Sequence, residues 1–519
     1  MHLPDWLKDA VFYEIYPQSF YDSNGDGIGD FPGMTQKLPY LKELGINAIW
    51  INPCFASPFM DAGYDISDYY TIAPRYGTNE DAAEFFRQAH KLGIRVLLDL
   101  VPGHTSDQHP WFRESRKPEK NEYSNRYIWT NNAFDYPTGF RLQSGLSDRD
   151  GNYVVNFFSS QPALNYGFEH RDYDWQLPPD HPDCQATVNE MKNVMRFWLD
   201  LGCDGFRVDM AYSLVKNDPE FTGTQRLWQD IRGMLDRDYP QAVILSEWSC
   251  AEKAIDAGFH LDFYIHFNCK GYNALFQTQT QDYVDAGESI CCFFSKEGKG
   301  NIRNFTDEFC AKLDYIRGRG FMCVPTGNHD MIRYANTRTP QELKLIAAFI
   351  LLLPCVPFLY YGDEIGMAYQ QLTSKEGGYF RTGSRTPMQW TDGKNKGFST
   401  GDTLYLPVDD REDTPSVARQ QADPDSLYHT IRQFIALRSS CEDFRADGDF
   451  RLVYAEEGKY PFVFRRGDHL VAVNPSDREV SIPLALQGEA ILCANGEGSL
   501  EDGILHMSPI SLVVFKENS

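Results

Sequence analysis

The chain has 519 residues, enough for two or three domains, and 42% of it is hydrophobic, which supports a large buried core and argues against disorder. A formal net charge of −24 repels phosphate backbones, so nucleic acid is not an expected partner, whereas neutral sugars meet no such barrier. No segment reads as a membrane span: the longest apolar run, Leu345 to Tyr361, contains Pro354 and Pro357 and reads as a buried helix running into a buried strand. The opening MHLPDWLKDA has neither a basic stretch nor an apolar one, so no export signal is expected. A cytoplasmic location with reduced thiols follows as the expectation, and the twelve cysteines show no metal-type spacing.

In chain order, β-branched or aromatic runs alternate with amphipathic stretches. Strands are predicted at Ala10–Pro17, Asn47–Pro53, Arg95–Pro102, Gly205–Met210, Ala242–Trp248, Leu261–Phe267, Met322–Gly327 and Pro357–Tyr361. Helices between them include Asp81–Leu92 and Ala186–Leu201, and Gly45, Gly93 and Gly202 sit where left-handed C-caps are wanted. Eight such units predict an α/β fold, a closed (β/α)8 TIM barrel. An open doubly wound sheet is the alternative, but no GxGxxG turn follows the first strand. About 60 residues after the third strand, from Gly103 to Phe168, are rich in Asn, Asp, Tyr and Gly and read as an inserted subdomain. Beyond Arg438 short strands follow, at Phe450–Tyr454, Phe462–Arg465, Leu470–Asn474, Glu479–Pro483, Ala490–Cys493 and Ile510–Phe515, and predict a C-terminal all-β sandwich domain. The expected divisions are a barrel over 1–103 and 169–438, an insertion over 104–168, and the β domain over 439–519.

Acidic and polar groups cluster at the predicted strand ends, where a barrel of this kind builds its active site. The second strand leads to DAGYD, with Asp61, Tyr64 and Asp65; the third to His104. The fourth, GFRVDM, carries Arg207 and Asp209 two apart on one face; the fifth ends at Glu247; the seventh runs into GNHD, with His329 and Asp330. Three converging carboxylates are costly unless paired or protonated, and glycoside hydrolysis uses such a set. In the loop from Asp22 to Asp30, oxygen-bearing residues alternate with glycines, as suits a hard cation. A true EF-hand fails, because its twelfth position would be Gly33.

The stretches DLVPGHTS, QPALN, GFRVD, SEW and GNHD together resemble glycoside hydrolase family 13, the α-amylase family, over nearly the whole chain. The resemblance implies a retaining enzyme in which Asp209 is the nucleophile, Glu247 the general acid/base and Asp330 the carboxylate that holds the glucosyl 2- and 3-hydroxyls. Arg207 would keep Asp209 ionised, His104 and His329 would hydrogen-bond the −1 sugar, and Tyr64 would stack beneath it. AVFYEIYPQSF, DSNGDGIGD, DAGYD and SRTPMQW are similar to the oligo-1,6-glucosidase, α-glucosidase and trehalose synthase branch. That likeness implies an Asp61–Arg385 pair closing the pocket behind one glucose. It also implies one structural Ca2+ held by Asp22, Asn24, Asp26, Ile28 and Asp30. The expected activity is release or transfer of α-linked glucosyl units from the non-reducing end of short α-glucans. A trehalose synthase or sucrose-active transferase is the rival, and a non-catalytic transporter-associated or sugar-binding relative the alternative from another class. Four positions depart from the family pattern. Gly103 stands where Asn is common and Ala163 where Asp is usual; Met210 matches neither linkage preference; and GNHDMIR lacks the surroundings associated with trehalose synthase.

Overall fold

The computed structural model describes residues 2–276 and 292–517. Eight parallel strands close into a barrel: β1 Phe12–Ile15, β2 Ala48–Ile51, β3 Arg95–Leu100, β4 Gly205–Val208, β5 Val243–Ser246, β6 Leu261–Phe263, β7 Phe321–Pro325 and β8 Val356–Tyr360. Neighbours in sequence are neighbours in space, and β1 closes on β8 with Phe12 opposite Phe358. The alternative of an open sheet is thereby excluded. The apolar run at Leu345 to Tyr361 divides as expected, into the end of helix Pro340–Leu352 and strand β8. Among the described residues no helix is long and apolar enough to cross a membrane.

The helices begin and end where local chemistry directs. Thr78 and Asp81 form a reciprocal cap at the start of Asn79–Lys91, as Thr339 and Glu342 do for Pro340–Leu352. Gly45, with φ 101°, ends Phe31–Leu44, its amide bonding back to Leu41 and Lys42. Two cores result. Phe206, Leu98, Ile49 and Tyr13 pack outward under the helices, whereas Phe12, Trp50, Leu97, Leu245, Phe263 and Phe358 fill the barrel interior.

The period of two along each strand then fixes what lies at the barrel mouth. Phe12 points inward, so Glu14 does too; Leu97 is followed inward by Asp99, Gly205 by Arg207, and Leu245 by Glu247. The third connection folds outside the barrel around a small core of Ile128, Val154, Ala163 and Phe168. The C-terminal domain packs a five-stranded antiparallel sheet on a three-stranded one, with Val463, Leu470, Leu505 and Phe515 between them. It has two more strands than expected, Gly498–Glu501 and Ile504–Met507.

Candidate active site

Arg207 stands at the centre of the mouth, fully buried. Its Nη1 donates to Asp209 Oδ1 at 3.0 Å and to Asp99 Oδ1 at 3.1 Å, and its Nη2 lies 2.7 Å from Glu247 Oε1. The chain turns sharply after both strands: Met210 has φ 42° and Ser249 φ 56°, a strained conformation for residues with a side chain. The first of these turns aims the Met210 amide at Glu247 Oε2, 3.1 Å away.

Three carboxyl groups thus share one guanidinium, and burial decides their charge. Burial pushes Asp99 up to about 8, with Arg207 opposing and Asp209 and Glu247 reinforcing. Burial likewise pushes Glu247 up to about 7, against Arg207 and with the charges of Asp209 and Asp330. Asp209 is raised from its ordinary value by burial too, but Arg207 pulls it back by charge and by hydrogen bond. All three carboxyl groups therefore hold their protons more tightly than free carboxylates, and Arg207 opposes that rise in each.

The opposite wall is built the other way round. Asp330 Oδ1 accepts from Arg385 Nη2 at 2.8 Å and Arg381 Nη1 at 3.0 Å. Burial alone disfavours its charge, but His329 first and then the Arg381 and Arg385 guanidiniums outweigh it and hold the carboxyl well below the ordinary range. The expected direct pair between Asp61 and Arg385 is not formed. Arg385 is anchored to the His329 carbonyl (2.9 Å) and the Tyr16 hydroxyl (3.3 Å), so its free Nη2 reaches Asp330. Arg381, one turn earlier, lies 3.6 Å from Asp61, which also accepts from Gln161 Nε2 at 2.8 Å. No sequence motif marks Arg381; the one nearby, SRTPMQW, points past it to Arg385.

The two histidines are held by protein. His104 Nδ1 faces the Asn156 amide at 3.2 Å and its Nε2 faces the Tyr64 carbonyl at 3.0 Å. Half-buried Lys216 donates to Asn156 Oδ1 at 3.0 Å, orienting that amide towards Nδ1 and leaving the proton on Nε2. Burial lowers His104 to about 4, so the ring is neutral. His329 stacks on Tyr64 with ring centroids 5.5 Å apart; its Nδ1 meets Glu14 at 2.7 Å and its Nε2 the Tyr64 hydroxyl at 2.7 Å. Tyr64 reaches Asp99 in turn, at 3.3 Å. Glu14, Asp99 and Asn156 were not picked from the sequence; for Glu14 and Asp99 the available clue was the inward phase of their strands.

Two family departures have a local reason. A Cβ at Gly103 would lie 2.7 Å from Asn156 Nδ2, so a side chain there would displace the amide that holds His104. Ala163 is fully buried in the insertion's apolar core, where a carboxylate would be desolvated.

These groups enclose a cavity of about 730 Å³, inside the range usual for ligand sites. Asp61, Tyr64, His104, Asp209, Glu247, Asp330 and Arg381 line it, while Phe157, Tyr212 and Phe267 stand exposed at the rim. Arg207, His329 and Arg385 lie behind this wall and act through the groups that they hold.

The family pattern of the α-amylase catalytic domain matches residues 14–447. The chain belongs to the α-amylase family of glycoside hydrolases. It is 33% identical to the trehalose synthase/amylase TreS of Mycolicibacterium smegmatis, covering 86% of this chain and 78% of that one. It is 31% identical to the oligo-1,6-glucosidase of Parageobacillus thermoglucosidasius, covering 89% and 87%. Among solved structures it resembles the trehalulose synthase MutB of Pseudomonas mesoacidophila, with a TM-score of 0.83, 26% identity and 99% of each chain covered.

In this α-amylase-family chain the Asp22–Asp30 loop is the remaining site. Asp22 and Asp30 are buried, and Asp22 accepts from the Gly25 and Gly27 amides, both at 2.7 Å. Asp30 accepts from Ser23 Oγ at 2.7 Å and the Gly33 amide at 2.6 Å. Asn24 and Asp26 are exposed, and the Asp26 carboxylate accepts from the Ile28 amide at 2.9 Å. Among the described residues no Lys or Arg pairs with these carboxylates. Burial raises Asp30, and the Asp22 charge adds to it. Uncompensated, oxygen-only and partly buried, the donor set fits a hard cation.

Proposed function

We propose that the enzyme is a retaining α-glucosidase that takes one glucosyl unit from the non-reducing end of a short α-glucan or disaccharide and passes it to water or a second sugar. The observation that carries this reading is the Asp209–Arg207–Glu247 cluster at the cavity floor. Two carboxyl groups held by the two Nη atoms of one guanidinium, at 3.0 and 2.7 Å, suit the close spacing of a retaining pair, not the wider gap that holds a water in inverting enzymes. Asp209 attacks the anomeric carbon as Glu247 gives its proton to the departing oxygen. Glu247, now a carboxylate, then removes a proton from the incoming hydroxyl, whose oxygen displaces Asp209 and restores the α configuration. Asp330 supplies fixed negative charge for the sugar hydroxyls, and Arg381, with Asp61, narrows the inner end of the cavity to a single ring.

A second reading, transfer in preference to hydrolysis, is favoured by the exposed rings at the rim, which offer an acceptor sugar flat apolar faces. It agrees with the likeness to a trehalose synthase/amylase and a trehalulose synthase. Calcium in the Asp22–Asp30 loop belongs to the same proposal, supported by two buried carboxylates with no cationic partner. Its role would be structural, through Asp22, Asn24, Asp26, Ile28 and Asp30.

Anomer-resolved NMR of maltose, isomaltose, trehalose, sucrose and maltotriose tests the reading. Early α-glucose from one or more of them is expected and identifies the linkage. Maltose turning into trehalose with little glucose moves the assignment to an isomerase, and β-glucose as first product overturns retention.

A further inference from the structure

Away from the barrel mouth, three donors meet where the last barrel helix passes into the β domain. Cys441 follows helix Leu427–Ser440, Asp443 lies in the short turn Glu442–Phe444, and His469 opens strand His469–Asn474. Their donor atoms all lie within 4.8 Å of one another. His469 Nδ1 is 2.8 Å from Asp443 Oδ2 and 3.9 Å from Cys441 Sγ.

We propose that Cys441, Asp443 and His469 form a three-donor zinc site, with solvent in the fourth position, that braces the turn after the last barrel helix against the C-terminal sheet. The geometry argues against the nearest alternative, a thiol–imidazole–carboxylate relay. A relay needs thiol and carboxylate on opposite ring nitrogens, so that a proton can cross the imidazole. Here both face the same Nδ1, which lies within hydrogen-bond distance of Asp443, so no proton path crosses the ring and the three donor atoms gather on one side of it, where a metal would replace the Nδ1 proton. Tetrahedral zinc, with Zn–S about 2.3 Å and Zn–N about 2.0–2.1 Å, sets its donors roughly 3.3–3.6 Å apart, and the two spacings seen here straddle that value. A thiolate, an imidazole and a carboxylate are a borderline-soft set that suits zinc better than calcium or magnesium.

Competing cations are occupied elsewhere. Arg445 pairs with Asp9 and Glu442, and Arg466 donates to the Asp449 and Arg445 carbonyls. His469 is nearly buried and its ring packs on Phe444 at 5.1 Å, which fixes the direction of Nδ1. The Asp468 amide donates to Asp443 Oδ2 at 3.1 Å, orienting the carboxylate as an outer hydrogen bond does for a metal ligand. Sequence spacing could not reveal the site, because its third donor lies 26 residues beyond the second, past two intervening strands.

The test uses chelator-treated full-length protein with calcium present throughout, so that hard-cation sites stay filled. Titration with Co2+, followed by absorption, is expected to give a thiolate-to-cobalt charge-transfer band saturating at one equivalent. Calorimetry with Zn2+ is expected to show the same stoichiometry and a rise in Tm. Cys441→Ser should abolish the band and the rise, and His469→Gln should weaken zinc binding at least tenfold. Should Cys441→Ser fail to fold by circular dichroism, Asp443→Asn provides the same comparison. A wild-type protein that shows no band, or a Cys441→Ser spectrum that overlays the wild type, overturns the proposal. None of these readouts depends on sugar turnover, so the outcome is separate from that of the proposed activity.

Discussion

The two walls of the cavity use the same residue types in opposite ratio. On the β3–β5 side one guanidinium, Arg207, serves Asp99, Asp209 and Glu247; on the far side two guanidiniums, Arg381 and Arg385, converge on Asp330, and Arg381 also reaches Asp61. On the first wall burial, reinforced by the neighbouring carboxylates, outweighs the single guanidinium, and Glu247 rises to about 7. The second removes any reason to bind a proton, and Asp330 stays an anion. A shortage of arginine therefore makes an acid, and a surplus makes a permanent charge.

Experiments can break this contrast one arm at a time. Asp209→Asn is expected to cut kcat by about 10⁴-fold or more while the near-UV circular dichroism is kept. Glu247→Gln should lose comparable turnover on natural glucosides, with partial recovery on aryl glucosides that need no proton to depart. Arg207→Ala should leave the carboxyl groups without their cation and cost about 3–5 kcal/mol in denaturant unfolding, besides abolishing turnover. On the other wall, Arg381→Ala and Arg385→Ala each delete a charge-assisted bond worth about 1.5–3 kcal/mol, so each should lower kcat/KM about 10- to 100-fold. If Arg381→Ala left kcat/KM unchanged, its assigned place in the pocket would be wrong.

The pH profile sharpens the comparison further. Glu247 must carry its proton to act as acid, so kcat/KM should fall as pH rises through about 7, tenfold for each further unit, and Glu247→Gln should lack that limb. Stability follows the same sign. The folded carboxyl binds its proton more tightly than the unfolded one, so unfolding free energy should decline as pH rises from about 4.5 to about 7, and decline less in Glu247→Gln. Asp330, depressed by its arginines, should contribute nothing to either slope in that window. The smallest effect expected lies outside both walls. Chelating calcium should lower Tm by a few degrees, a loss of about 1–3 kcal/mol, and Asp22→Ala should remove the difference between calcium-loaded and chelated protein.

Much of the barrel was legible because each strand is a short apolar run between turn residues, and all eight predicted runs overlap an observed strand. The boundaries shifted where a strand stops short of its apolar run: Ala10–Pro17 shrinks to Phe12–Ile15, since Pro17 starts a helix. In the β domain, Gly498–Glu501 was missed because it is short and carries Gly, Ser and Glu, and Ile504–Met507 because it is only four residues long with alternate residues exposed. At the site, the residues in the strand-end motifs were found, and the structure brings them to one mouth. What local patterns could not show was pairing across the cavity. Arg385 and Arg381 lie four residues apart, and only the anchoring of Arg385 to Tyr16 and the His329 carbonyl decides which of them faces Asp61. Glu14 was passed over for the same reason, because its partner His329 comes from the far end of the barrel.

The seam between β1 and β8 has a consequence for synthesis. The first strand off the ribosome waits for the last before its outer edge is paired, since Phe12 meets Phe358. At translation rates of about 5–20 residues per second, that edge stays open for on the order of tens of seconds. Through this interval Glu14 has no His329 to receive it, and the unpaired backbone of β1 invites association with other nascent chains. Completion of the active site and closure of the aggregation-prone edge are thus one event, late in the life of each newly made chain.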